Sequence, residues 1–277
     1  MRTMKEFLGD CREHSESIGK TALRWQAQDS GETEAAVYAR MLDSLHVMRE
    51  SVKAGLSPDL RSQSGRVGGG AAKLFQAPQL SGLGMMGKAS AYALAVAESN
   101  ACMGKIVAAP TAGSCGIIPG ALFAAQEENG FSDDALVMAL FAAAAVGRVI
   151  ALQATISGAE GGCQAECGAA AAMAAAALCQ LFGGTPEQAA DASAFALMNL
   201  LGLVCDPVQG LVEVPCVYRN VGGVSQAIAA AQMALAGIAC PIPYDEMILA
   251  MKDVGDAMPP ALRETGEGGC AACASTR

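Results

Sequence analysis

The sequence predicts an all-α protein: a compact bundle of Ala- and Gly-rich helices, with buried central helices and with Gly/Pro loops carrying the site. Three observations predict it. Hydrophobic residues make up 52% of the chain while aromatics make up only 4%, with a single tryptophan and 32 glycines. An all-β protein draws on aromatic and β-branched side chains, whereas short side chains such as alanine suit helices that pack closely. Apolar residues recur at helical spacing near the N-terminus, and two later segments, 137–146 and 169–182, are apolar nearly all round, which marks buried helices.

In chain order, residues 1–60 read as two amphipathic helices broken near Asp29-Ser30-Gly31, a hairpin packed on the main domain. Met4, Phe7 and Leu8, then Val37, Met41, Leu45 and Met48 supply the apolar stripe, with polar residues between them. Both histidines, His14 and His46, lie here among polar or charged neighbours and read as solvated. From Ser57 to Gly84 the texture turns to Pro, Gly and Ser, the mark of a loop or linker. Gly68-Gly69-Gly70 within it could cradle a phosphate but lacks the Lys-Ser/Thr that completes such a loop. Beyond it, helices are predicted over 85–103, 116–128, 133–155, 164–183, 186–201, 223–238 and 243–257. Arg148 is expected to stop the first apolar run, and the second carries Gln180 and ends at Gly183-Gly184, so neither gives a clean run of ~20 apolar residues and no membrane span is expected. Residues 61–277 form the main domain, continuous with the hairpin.

The 277 residues suffice for one large domain or two modest ones and for a real core without disulfides. High hydrophobicity excludes a disordered chain. A net charge of −9, from 27 acids and 18 bases, excludes a nucleic-acid partner, because phosphate binding needs a basic surface. The N-terminal MRTMKEFLGDCREHSES is too polar for a secretory signal, so a cytoplasmic location and reduced thiols are expected.

Eleven cysteines carry the functional signal. Cys11, Cys102, Cys179 and Cys240 read as small core hydrophobes. Cys163 and Cys167 form a C-x3-C pair at a helix start, by itself a weak metal signal. Three loops have unusual content: 108–116 with Cys115, 157–164 with Cys163, and 205–216 with Cys205 and Cys216. Each sets cysteine near Gly or Pro at an apparent helix end, where backbone can approach a ligand closely and free N–H groups favour anions. Cys163, Cys205 and Cys216, converging from separate loops, suit a zinc or an iron–sulfur cluster. Their separations along the chain, 42 residues from 163 to 205 and 11 from 205 to 216, match no zinc finger and no ferredoxin run. Spacing therefore leaves a shared metal site and unrelated core thiols both open.

The segments SNACMGKIVAAPTAGSCGIIPG (99–120), SGAEGGCQAEC (157–167) and LGLVCDPVQGLVEVPCVYRN (201–220) resemble the α chain of the iron–sulfur-dependent L-serine dehydratases, and the resemblance covers nearly the whole length. It implies a [4Fe–4S] cluster held by three cysteines with one iron open, matched on Cys163 of GGCQ, Cys205 of CDPV and Cys216 of VPC, with Cys115 kept as a pocket-wall residue. It implies β-elimination of water from L-serine, an open iron acting as Lewis acid on the leaving oxygen, to give pyruvate and ammonia. Residues 61–277 would then be the iron–sulfur catalytic domain.

Within the matched segments, Thr111, Gly113 and Ser114 could present donors to the substrate carboxylate at the start of helix 116–128, Ser114 serving equally well as an ordinary helix cap. Asn100 could bridge loops or contact substrate. Arg219 could bind a carboxylate or lie at a surface or interface, and Lys105 could pack at a helix end. Family members also have a smaller β domain with a Ser-Ser-His-Thr-type motif, fused or as a separate chain, and no such segment occurs here. With neither histidine in a matched motif, the general base, which must lie within ~3 Å of its proton, is expected from a β chain. The tail departs from the family pattern: Glu264-Thr265-Gly266-Glu267-Gly268-Gly269 is followed by Cys270-Ala271-Ala272-Cys273. Either Cys270 or Cys273 could reach back to the open iron as a lid, or the tail is mobile and its cysteines incidental. Self-association into an oligomer is also expected.

Rival readings of the same residues are an iron–sulfur L-cysteine desulfidase, a threonine-directed lyase, an Fe–S electron carrier, which would normally use a fourth cysteine, and a zinc scaffold. A pyridoxal phosphate lyase would need a Schiff-base lysine with a phosphate loop, which the sequence does not offer.

Overall fold

The computed structural model describes residues 3–78 and 84–276. Twelve helices run through them: α1 (Met4–His14), α2 (Ile18–Ser30), α3 (Glu34–Gly55), α4 (Gly70–Gln76), α5 (Gly84–Ala101), α6 (Ile117–Asn129), α7 (Asp133–Gln153), α8 (Gly158–Gly161), α9 (Ala169–Leu181), α10 (Pro186–Leu200), α11 (Cys216–Leu235) and α12 (Tyr244–Ala257). There is no sheet among the described residues, only an isolated bridge between Cys205 and Arg263. The fold is all-α.

At its centre lies α9, whose residues from Ala169 to Leu178 are all buried. Its alanine surface lets α6, α7, α10 and α11 approach closely on different sides, and close approach of small side chains is how an alanine-rich core reaches native packing density. The N-terminal helices add their own stripe to the same core: Met4, Phe7, Leu23, Val37 and Leu45 join the buried cluster that holds α6, α7 and α9.

Three helices, not two, build residues 1–60. Besides the break at Gly31, Ser15 takes a left-handed conformation (φ 52°) and ends α1, and the Ser17 side chain accepts the Lys20 N–H to start α2. Arg24 fastens this corner, donating to Asp10 Oδ2 at 2.7 Å and Glu16 Oε2 at 3.0 Å, while Trp25 Nε1 donates to Asp10 at 2.5 Å. Burial pushes both carboxyls up, but the hydrogen bonds from Arg24, those from Trp25 to Asp10 and Thr21 to Glu16, and the nearby positive charge together outweigh it and hold each below its ordinary value. Carboxyls lowered in the folded state contribute stability above the ordinary carboxylate range and lose it as pH falls through the lowered values. Arg24→Met is expected to lower urea-unfolding stability at neutral pH by roughly 1.5–3 kcal/mol and to flatten its decline on acidification.

α7 is not interrupted at Arg148, which turns outward to Asp29 at 2.5 Å. By length and composition it is long and apolar enough to cross a membrane, yet 67% of its most apolar window is buried against other helices, as in a core helix. The helix expected from 164 opens instead with a π turn, Gln164–Gly168, before α9. The helix expected from 223 starts seven residues earlier, at Cys216, so Cys216 is a helix residue rather than a loop residue. Gly222-Gly223 sits inside α11. At Gly223 a Cβ would drive into Ile117, so this glycine serves close packing rather than a break.

The linker expected over 57–84 contains α4, and its residues 79–83 lie outside the described residues. Its glycine triplet does cradle an anion, but an internal one. The Glu98 carboxylate, on α5 and 1% exposed, accepts from the N–H groups of Gly68 (3.3 Å), Gly70 (3.0 Å) and Ala71 (3.0 Å). The Glu213 carboxylate, shortly before Cys216, similarly accepts from Ser62 Oγ at 2.8 Å, from Ser64 N at 3.2 Å and from the Ser64 hydroxyl. Two carboxylates thus strap the linker to the segments that carry Asn100 and Cys216.

Candidate active site

Four chain segments meet at one end of the bundle: the turn 111–116, the stretch 157–168, the loop 204–216 leading into α11, and the tail 259–273. Two buried amides rivet them. Gln164, 1% exposed, donates from Nε2 to Met251 O and accepts the Gly202 N–H, both at 2.9 Å, while its own N–H reaches Leu203 O at 3.0 Å. Asn220, fully buried on α11, accepts the Gly116 N–H at 2.8 Å and donates to Gly113 O at 2.8 Å and Cys216 O at 3.0 Å. The tail joins through Cys205, whose N–H donates to Leu262 O at 2.9 Å and whose carbonyl accepts Glu264 N–H at 2.7 Å.

These links bring Cys163, Cys205 and Cys216 together, the first two buried and the third partly so. Their sulfurs act on one another electrostatically. Burial pushes the Cys205 thiol far up, reinforced by Glu166 and Cys163, and burial with the same two neighbours pushes Cys216 up to about 12. Cys163 differs. A hydrogen bond from Cys167 outweighs burial and, with the Arg219 guanidinium, holds Cys163 below the ordinary thiol range. Among the described residues, the three acidic, histidine or cysteine side chains whose ligand atoms all lie within 4.8 Å of one another are Asp10, Glu13 and His14, on the exposed side of α1.

Arg219 has three partners. Nη1 donates to Val204 O at 2.6 Å, Nη2 meets Asp206 Oδ1 at 2.7 Å, and the guanidinium also hydrogen-bonds Cys163. Asp206, 2% exposed, uses its other oxygen to accept the Cys270 N–H at 2.6 Å. The tail is thus folded onto the site, with Cys270 half-buried on Asp206 and Cys273 exposed.

Asn100 bridges loops, its Nδ2 donating to Ala112 O at 3.1 Å, and with Gly113, Val212, Cys216 and Asn220 it lines a narrow crevice. Thr111 Oγ1 lies 3.1 Å from Ser114 Oγ. Ser114 is fully buried in a short turn and does not cap α6, whose N-cap is Gly116 with no side-chain bond; Asn220 satisfies the Gly116 N–H. That N–H is consequently not free for a substrate carboxylate, and Thr111 and Gly113 are the partly exposed members of the turn. Cys115 does not face the site: it packs in the core 3.9 Å from Val96 O, its thiol pushed up to about 12 by burial. Lys105 is exposed rather than packed, and neither exposed histidine lies in this region.

One residue at the centre was not expected. Glu166, on the π turn between Cys163 and Cys167, receives the Thr111 hydroxyl at 2.8 Å and lies 3.9 Å from Cys205 Sγ. Burial raises its carboxyl above the ordinary range, the Thr111 and Cys205 bonds only partly opposing it, and the charged group acting on it is another carboxylate, Glu264.

Residues 8–271 match the family model "Serine dehydratase alpha chain". The chain is 48% identical to the "Probable L-serine dehydratase, alpha chain" of Bacillus subtilis over 280 residues, covering 100% of this chain and 93% of that one. It is 42% identical to the "L-serine dehydratase, alpha chain" of Peptoniphilus asaccharolyticus over 98% of this chain and 94% of that one. The "L-serine dehydratase" of Streptomyces coelicolor is 38% identical over 98% of this chain, which spans 60% of that longer protein.

Proposed function

The chain belongs to the serine dehydratase alpha chain family, and from that premise we propose that it is a lyase that eliminates water from L-serine to give pyruvate and ammonia, working with a separate β chain. The observation that carries the reading is the convergence of Cys163, Cys205 and Cys216 from separate stretches of chain, their sulfurs within electrostatic reach of one another and a guanidinium held against one of them. These three thiols fit a [4Fe–4S] cluster, which takes cysteine thiolates as ligands, and they are the residues that would hold it. When bound, such a cluster with one open iron supplies a Lewis acid to the departing hydroxyl.

The chain's own residues do the rest. Arg219 keeps its charge beside Cys163 and favours that sulfur as a thiolate, while its bonds to Val204 and Asp206 fix the strand of loop that leads to and from Cys205. Asn220 ties the turn 111–116 to the first residue of α11, so the backbone N–H groups of Thr111 and Gly113 keep a constant position relative to Cys216. Those donors are suited to the substrate carboxylate. The proton on Cα needs a base of tunable pKa within reach, and a histidine of the β chain fills that role in this reading.

The test is the anaerobically purified chain. About four irons and four sulfides per chain with a brown chromophore are expected, with little pyruvate from L-serine until a β chain is added. A wild type that stays colourless after reconstitution with iron and sulfide overturns the cluster reading, and full turnover by the single chain overturns the need for a partner. Parallel assays with L-threonine and L-cysteine test the substrate preference.

A further inference from the structure

Nothing in the arrangement above uses Glu166. Its carboxylate sits inside the site with a hydroxyl and a thiol as its hydrogen-bonding side chains, Thr111 and Cys205, and among the described residues no Lys or Arg forms an ion pair with it. A half-buried carboxylate without a cation is costly in proportion to the water it loses, and proteins ordinarily pair such a group. The surroundings are shaped to keep this one in place all the same. A Cβ at Gly158 would collide with Oε2, and one at Gly113 would stand 3.5 Å from Oε1, so two bare glycines flank the group. The π turn that carries it is locked by Gln164 on both sides, and isolated π turns are frequent at functional sites.

Resting on the dehydratase reading, we propose that Glu166 receives the α-ammonium group of the substrate and so selects amino acids over acids that lack the amine. The hydrogen bond from Thr111 sets this carboxylate directly beside the turn whose donors suit the substrate carboxylate. In an α-amino acid the ammonium and carboxylate are joined to the same carbon, so they need an anionic and a donor group side by side. The backbone N–H groups of Thr111 and Gly113, with the Glu166 carboxylate beside them, are such a set, the Thr111 hydroxyl being already turned to Glu166. An ammonium also brings three donors to a carboxylate whose present partners use only part of its accepting capacity.

The test uses the complete enzyme, with cluster and β chain, as wild type, Glu166→Gln and Glu166→Asp. In Glu166→Gln the iron content and visible spectrum are expected to be those of the wild type, while KM for L-serine rises roughly ten- to a hundredfold, as for loss of a hydrogen bond to a charged group, and kcat falls less. Glu166→Asp, which keeps the charge but withdraws it, is expected to lie between. L-Alanine, an amino acid without a leaving group, should protect the wild type against thermal unfolding and lose this effect in Glu166→Gln, whereas protection by propionate is unchanged. An unchanged KM with unchanged alanine protection overturns the assignment. Loss of the cluster from Glu166→Gln while Glu166→Asp keeps both cluster and KM also overturns it and makes Glu166 part of the cysteine scaffold. A wild type without serine turnover refutes the dehydratase reading itself.

Discussion

Serine at position 163, 205 or 216 is expected to leave the protein colourless, each single substitution removing the iron and sulfide of the wild type and all serine turnover with them. Three ligands are the fewest that could hold a four-iron cluster here, so no one of them is spare. A serine hydroxyl does not replace a thiolate toward iron, because thiolate is the softer and far more easily formed anion. The controls are within the same chain. Cys115→Ser and Cys179→Ser alter buried thiols that bond only to backbone carbonyls, Val96 O for the one, Gln188 O and Ala231 O for the other. They should keep the brown colour while costing roughly 1–3 kcal/mol for burying a hydroxyl. Iron and sulfide per chain, measured beside the visible spectrum, decide the matter; full iron in any of the first three variants removes that cysteine from the ligand set.

Much of this was legible in the sequence, and what was missed has a common cause. The loop texture around Cys163, Cys205 and Cys216, with Gly and Pro interrupting apolar runs, separates these thiols from Cys179 and Cys11. Helices α7 and α10 lie within a few residues of where periodicity puts them, because their caps, Ser132 and Thr185, are local signals. The errors come from pairwise facts. Gly222-Gly223 looks like a boundary until Ile117 is found against it. Glu166 looks like an ordinary acid in the first turn of a helix, and only the folded chain sets it, half-buried, beside Thr111 and Cys205. A signal was there to be used: Glu98, Gln164, Glu166 and Asn220 are polar residues set among alanine, glycine and valine, and each proves to hold two or more segments together.

Arg219→Met should have the largest effect on stability. Its guanidinium faces Asp206, which is 2% exposed, and also carries Val204 O at 2.6 Å and Cys163. Breaking a buried pair from one side leaves a charge with no water and no partner, which costs roughly 3–5 kcal/mol. Asp206 would keep only the Cys270 N–H, and the loop on either side of Cys205 would lose its tie to α11. The expected result is a large fall in urea-unfolding stability together with poor retention of iron. Arg219→Met/Asp206→Asn removes both charges, so its loss should fall well short of the sum of the two single losses, as expected of groups in one network. Had Arg219 instead been the receptor for the substrate carboxylate, as the sequence alone allowed, its neighbours would leave it free to meet a ligand. A methionine there would then spare stability to within about 1 kcal/mol, as at sites away from a buried network, and raise KM for L-serine. Unfolding of the whole chain and serine kinetics of the same variant separate the two roles, and the three bonds already made by the guanidinium favour the first.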